Sequence, residues 1–324
     1  MATYRLGSAG DEVRQIQTEL QKRGLYAGPI DGQFGGGTEI AVRRLQAQAN
    51  LLPPDGIVGT QTWQALFGAA APAIPAPALA SRPINERCLA LTASFETGHP
   101  PPDCYAGLSG DFDGMGISFG ALQWNIGQGS LQPLLRDFDT ANHEIADSIF
   151  GPKAEEFRAV LASPIDDQLD WARSIQTSRF VLIEPWLGYF KTLGRTQEFI
   201  NIEVAAVNGN ILRARQLCAA FSVGSQRALA LMFDIITQNG GISDAVKASI
   251  NQDIKSLPWH LTANDTEVAK LRSVANRRAD AAKAQWREDV RKRKLTIAEG
   301  SGTVHGRFYD LADQYGIDLA AMGS

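Results

Sequence analysis

DGQFGGGT at residues 31–38 and DGIVGTQT at residues 55–62 state one phrase twice, with the Asp-Gly pair, the apolar residue, the following Gly and the Thr all offset by 24 residues. Asp-Gly favours a tight turn with positive φ at the glycine, the apolar side chain turns inward, and the Thr stands near the start of a helix. The segments around the phrases have helical spacing. Asp11 to Arg23 places Val13, Ile16 and Leu20 on one face, and Thr38 to Ala49 does the same with Ile40, Val42 and Leu45. Helix, turn, helix, turn, helix predicts a small three-helix module over residues 1–67.

GAAAPAIPAPALASRP at residues 68–83 alternates alanine with four prolines and carries no charge before Arg82. Such a segment cannot form a regular helix and reads as an extended, semi-rigid tether. Beyond it, residues 84–324 read as helices separated by Gly and Pro loops, among them 85–96, 131–148, 164–191, 265–295 and 304–315. No strand-helix alternation of the Rossmann or barrel kind is present. The predicted fold class is mainly α: a three-helix module, an Ala/Pro linker and a larger α-helical domain.

Bulk properties bound the function. A chain of 324 residues suits two domains, and 44% apolar with 20% charged residues is ordinary for a folded protein. The net charge of −4 provides no general pull towards nucleic acid, and no stretch reaches the ~18 apolar residues of a membrane span. Residues 267–294 nonetheless carry ten Lys or Arg against four Asp or Glu, either a solvated helix face or a basic surface for anionic polymers. Cys88, Cys104 and Cys218 are too few and too scattered for a disulfide framework, so reduced thiols and cytosolic synthesis are expected. Met1 to Gly7 lacks the charged-then-apolar run of a secretory signal.

The candidate chemistry lies between residues 88 and 130. In CLALTASFETG, residues 88–98, Cys88, Leu91, Thr92 and Phe95 form an inward stripe that Glu96 closes four residues after Thr92. Gly98 and the prolines at 100–102 end this helix, predicting a partly desolvated Glu at a cleft edge, a setting that raises a carboxylic pKa. The glycine-dense stretch DCYAGLSGDFDGMGISFGALQWNIGQGS, residues 103–130, follows with Asp111, Asp113, Ser118 and the cluster Gln123, Trp124, Asn125, which looks like a sugar-binding floor. Two carboxylates flanking a cleft are what glycoside hydrolysis needs. The plainer reading is that Glu96 caps or ion-pairs while Asp113 serves the Asp-Gly turn.

The phrases GSAGDEVRQIQTELQKRG, DGQFGGGTEIAVRRLQ and DGIVGTQTWQAL resemble the peptidoglycan-binding domain found on many wall hydrolases, over roughly residues 5–67. The resemblance implies a module that docks on peptidoglycan, with Asp31, Phe34, Asp55 and Trp63 as candidate contacts that could equally be turn and core residues. SFETG around Glu96 and Asp113-Gly-Met-Gly-Ile-Ser118-Phe-Gly120, with the two acids 17 residues apart, resemble the lysozyme-like superfamily, nearest its chitosanase-like branch. Phe233-Asp-Ile-Ile-Thr-Gln-Asn-Gly240 is similar to a late core helix of that branch, and Gly120-Ala-Leu-Gln123 to a phrase of goose-type lysozymes and lytic transglycosylases. The similarity implies Glu96 as acid, Asp113 as base and Ser118 as holder of the attacking water, with Asp111 competing for the second carboxylate.

These readings combine as an endolysin-type muramidase, with lytic transglycosylation of the same bond, an amidase or peptidase, and a non-catalytic wall binder as alternatives. His99, His143, His260 and His305 form no HExxH or other close pair, so no metal or cofactor is expected; a Cys-His amidase would use Cys104 as nucleophile. The expected partner is peptidoglycan, with the basic 267–294 segment touching anionic wall or outer-membrane polymers. The expected protein is a monomer made in the cytoplasm that reaches the host periplasm by holin-type release.

Overall fold

The computed structural model describes residues 3–68 and 79–323. Most of the 68–83 tether, residues 69–78, lies outside the described residues. The fold is mainly α, as the periodicity predicts. The chain forms two compact units: Met1–Arg87 with Arg213–Ser324, and Cys88–Leu212. The sequence boundaries at 67 and 84 follow chain order, whereas these units follow contacts. No helix among the described residues is long and apolar enough to cross a membrane.

In the first unit, the helices Asp11–Lys22, Gly36–Gln48 and Thr60–Phe67 close around Val13, Ile16, Leu20, Phe34, Leu45 and Trp63. The repeated phrase has a physical cause that its own letters do not show. Gln17, fully buried, donates to Asp31 Oδ1 at 2.8 Å and to the Gln33 carbonyl at 2.9 Å, and its Oε1 accepts the Gly32 amide at 2.9 Å. Gln46 repeats the pattern: it donates to Asp55 Oδ1 at 2.6 Å and to the Ile57 carbonyl at 3.0 Å, and accepts the Gly56 amide at 2.8 Å. Each turn is thus bolted to a helix by one amide side chain that uses both its donor and its acceptor. The Gln17 donor and the Gln33 amide together hold the Asp31 carboxyl below its ordinary range.

The same unit contains the helices Gln226–Asn239, Asp244–Lys255, Ala263–Asp280 and Arg287–Glu299. Gln226–Asn239 buries every residue from Ala228 to Ile236, and Asp234 lies among them with no exposed surface. Burial alone would raise this carboxyl. Arg293 at 2.6 Å and Lys294 at 2.5 Å, both equally buried, outweigh that and hold it ionised, well below the carboxylate range. Part of the charge of the basic 267–294 segment is therefore spent in pairs rather than offered at the surface. Arg293 and Lys294 are interior, Arg272 pairs with Glu299, Arg277 with Asp253 at 2.6 Å, and Arg291 with Asp280 at 2.8 Å.

Four predicted helices are interrupted or replaced, the 265–295 helix dividing into Ala263–Asp280 and Arg287–Glu299. Residues 304–315 begin as a hairpin, Ser301–Val304 antiparallel to Arg307–Asp310, and only Leu311–Tyr315 is helical. The two-residue turn His305-Gly306 has φ of 48° and 78°, the doubly positive pair whose twist suits a hairpin. The 164–191 helix splits into Ile165–Ser174 and Trp186–Gly194, because Phe180 sits at φ 58° and Pro185 cannot occupy a helix interior. The 131–148 helix breaks at Asn142, which separates Leu131–Ala141 from His143–Phe150. These pieces, with Ala154–Ala162 and Gln197–Ala206, surround the core of the second unit, where Phe119 packs edge-on to Phe190 at 5.1 Å and beside Phe199 at 5.3 Å.

Asp234→Ala strands two interior cations without a counter-charge, and a loss of about 3–5 kcal/mol is expected. Urea unfolding followed by circular dichroism checks this, and an unchanged midpoint refutes it.

Candidate active site

The second unit supplies the candidate chemistry. The helix Ile84–Thr97 carries Glu96 in its last turn and stops at Gly98, whose φ of 69° allows the chain to turn away. Glu96 is exposed. The partial desolvation expected at this position is therefore corrected: the inward stripe ends at Phe95, and the helix terminus carries the carboxylate out towards water.

The glycine-dense stretch has no α-helix, as its composition predicts; after a 3-10 turn at Asp103–Ala106 it forms a three-stranded sheet of two-residue strands, Leu108–Ser109, Ser118–Phe119 and Trp124–Asn125. Its register is informative. Ser109, Ser118 and Asn125 stand in one row across the strands, and Leu108, Phe119 and Trp124 stand in the next. Neighbouring residues point to opposite faces, so the apolar row anchors the sheet in the aromatic core while the polar row shares the other side. Ser118 is thereby oriented by the burial of Phe119.

One close backbone approach, at Gly107, joins Glu96's helix to this sheet, and a second, at Gly120, packs the sheet's turn on Glu203. A Cβ on Gly107 would lie 2.9 Å from Thr97 Cγ2, 2.7 Å from Gln123 Nε2 and 3.1 Å from the Gly120 carbonyl, so only glycine fits. Gly107 also accepts the Gly120 amide at 2.8 Å. Gly120, at φ 90°, sits against the Glu203 carboxylate and Trp124.

The two competing aspartates differ plainly. Asp111 Oδ1 accepts the Gly116 amide at 2.7 Å, and its Oδ2 accepts from Arg173 at 2.8 Å. Burial pushes its carboxyl up, but Arg173 and the Gly116 amide outweigh this and hold it below the ordinary value. It is a brace of the loop. Asp113 is exposed and, among the described residues, accepts only the Met115 amide, at 3.1 Å, in the Asp-Gly turn. Of the expected floor, Gln123 donates to the Gly120 carbonyl at 3.0 Å and accepts from Ser109 at 2.9 Å, and Asn125 Oδ1 accepts the Gln128 amide at 2.8 Å. Those two amides hold the loop's shape. Trp124 is half-buried against Gly120.

Sequence reasoning missed Phe112, which stands 66% exposed between the two aspartates, and Glu203. Glu203 has no exposed surface, and its Oε1 accepts the Ala121 amide at 2.8 Å while Oε2 has no partner among the described residues. Burial pushes its carboxyl well above the ordinary value, so it is a neutral acid beneath the Gly120–Ala121 turn. Its signal was present: Phe199, Ile200, Glu203 and Val207 fall on one helical face, and all four are buried.

The rival chemistries find different surroundings. Cys104 is fully buried, and burial pushes its thiol up, the reverse of an activated nucleophile. Cys88 and Cys218 are likewise buried and unbridged. His143 lies beside Asp139 and Asp147, and His305 beside Asp289 at 2.7 Å, each in a surface charge cluster.

In the module, Phe34 and Trp63 are enclosed, with 1% and 5% exposure, and offer no surface to a glycan. Asp31 and Asp55 each spend Oδ1 on a glutamine and on the turn's own amide. Residues 9–66 match the family described as "Putative peptidoglycan binding domain". Over 61 residues, 19% of this chain and 20% of the relative, the sequence is 48% identical to a spore cortex-lytic enzyme of Bacillus subtilis (strain 168). A spore cortex-lytic enzyme of Bacillus cereus is 41% identical over 63 residues, 19% of this chain and 24% of the relative. The chain thus spans about a fifth of the length of these curated relatives. Among solved structures, a chitosanase from Bacillus subtilis MY002 overlays 68% of this chain and 87% of its own with 18% identity and a TM-score of 0.40, a loose overlay that carries over no residue roles.

Because the native state keeps the Glu203 proton that the unfolded chain gives up, stability drains away as pH rises from the ordinary carboxylate value, about 4, towards neutrality. Glu203→Gln cannot titrate, so its melting temperature relative to wild type is expected to climb between pH of about 4 and about 8. Parallel profiles for the two proteins would reject a neutral buried Glu203.

Proposed function

We propose that this chain is a cell-wall hydrolase that cuts the glycan strand of peptidoglycan, with Glu96 as general acid, Asp113 as general base and Ser118 holding the attacking water. One observation carries the reading. The end of the Glu96 helix is locked through Gly107 to the small sheet that bears Ser118, within the unit that also exposes Asp113. A general base needs a carboxylate not already spent, which favours Asp113 over Asp111, whose two oxygens serve Gly116 and Arg173. Phe112 offers an exposed ring against which a sugar face can stack.

The match over residues 9–66 supports peptidoglycan as the partner, with the module holding the enzyme on an insoluble substrate. Within this reading the bond is the β-1,4 linkage after muramic acid, and the setting is a phage-type lysin acting in the host periplasm.

Glu96→Gln keeps the shape but cannot donate the proton, and release of soluble fragments from purified peptidoglycan is expected to fall ~100-fold or more. The same variant should still sediment with insoluble wall. Asp113→Asn should lose a comparable factor, whereas Asp111→Asn should lower the melting temperature as well as the rate. Near-normal turnover by Glu96→Gln would defeat the assignment, and mass spectrometry of the fragments tests the bond, since a reducing muramic end is required.

A further inference from the structure

In the unit formed by Met1–Arg87 and Arg213–Ser324, the turn that follows Gln226–Asn239 opens a cavity of about 470 Å³, lined by Asn239, Gly240, Gly241, Ser243, Val246 and Arg278. Arg278 departs from the pattern of its surroundings. Arg272, Arg277, Arg291 and Arg293 each meet a carboxylate, whereas Arg278 makes no hydrogen bond or ion pair among the described residues. Its Nε is shielded from solvent, and partial burial pulls its pKa below the ordinary arginine value. Keeping a guanidinium half-buried without a counter-charge costs stability. A second cation borders the same turn: Arg213 donates to the Gly240 carbonyl at 2.8 Å and lies 3.7 Å from where a Gly241 Cβ would be. No carboxylate is among the described residues that line the cavity; Asp244, next to Ser243 in the chain, is exposed and pairs with Lys247 at 3.0 Å.

Two further features narrow the ligand. No side chain caps the helix Asp244–Lys255, so its opening amides add donors beside the cavity. Asn239 Oδ1 is buried and has no partner among the described residues, so an acceptor lines the same cavity as the cation. A bare anion would satisfy the arginine and leave Asn239 unmet. A carboxylate with an amide N–H two bonds away satisfies both.

We propose that this cavity binds the C-terminal carboxylate of a peptide, with Arg278 taking the carboxylate and Asn239 the adjacent N–H. The assignment of that peptide to the stem of a wall glycan rests on the function proposed above; the cavity itself does not. A stability cost retained at Arg278 is then the cost of a preformed site.

The test is isothermal titration of the full-length chain and its Arg278→Gln variant with N-acetyl-alanyl-alanine, with its C-terminal amide and with inorganic phosphate. The acid is expected to bind wild type and to weaken ~10-fold or more in the variant, while the amide binds both equally poorly. Arg213→Gln should weaken the acid less. Equal binding of acid and amide to wild type, or acid binding that survives Arg278→Gln, overturns the proposal. Phosphate bound in preference to the acid overturns the peptide assignment. Because Arg278→Gln removes an uncompensated cation, its melting temperature should match or exceed wild type; a fall would mark Arg278 as structural and overturn the site. None of these readouts requires wall cleavage, so the expected titration together with no fragment release would leave the cavity standing and remove the glycan-cutting reading.

Discussion

Glu203 accepts the amide of Ala121 from beneath the turn at Gly120, with no water-exposed surface of its own. Much of the candidate site depends on that one bond. Gly120 sits so close to the carboxylate that no side chain fits, and the turn it forms sends the chain back as the strand Trp124–Asn125. Ser118 and Asn125 are thereby opposed across the sheet, and Gly107 can approach both Gly120 and the end of the Glu96 helix. An ionised Glu203 would carry an unpaired charge in an aromatic core, so the neutral form and the tight packing require one another.

The two units solve the problem of irregular backbone in related ways. A loop that cannot pair its amides within a helix or ladder must find partners elsewhere. In the three-helix module the partners are Gln17 and Gln46, each projecting one amide into an Asp-Gly turn. Around the candidate site they are Asp111, Gln123, Asn125 and Glu203, four side chains that serve backbone atoms. Residues of the sort that catalysis uses are therefore mostly spent here on holding shape, while Glu96 and Asp113 remain exposed.

Interior charge follows a stricter rule. Asp234 is kept ionised because two cations reach it, and Arg293 and Lys294 tolerate burial because Asp234 is there. Arg278, the very next residue after Arg277 and its partner Asp253, has no such arrangement among the described residues. A list of charges along residues 267–294 cannot separate these cases, since neutralisation depends on carboxylates contributed by helices far away in the chain.

Periodicity and turn chemistry, which are local, were legible from the residues alone: the three helices of the module, the helix that ends at Gly98 and the absence of α-helix from 103 to 130 all follow from spacing, Asp-Gly pairs and proline. Breaks set by single backbone states, such as Phe180 at positive φ and the His305-Gly306 turn, were not, because ordinary composition conceals them. The candidate acids could be named from their phrases, yet exposure at Glu96, the tethering of Asp111 by Arg173 and the burial of Glu203 are outcomes of packing. Neighbours in the chain sufficed to mark the helices with clear turns and caps and to name Glu96, Asp111, Asp113 and Ser118 as candidates, because spacing and turn chemistry are local. Only the tertiary structure decided which carboxylates are spent, which are exposed and which are neutral, because desolvation and hydrogen bonding are set by groups that the chain brings together from far apart.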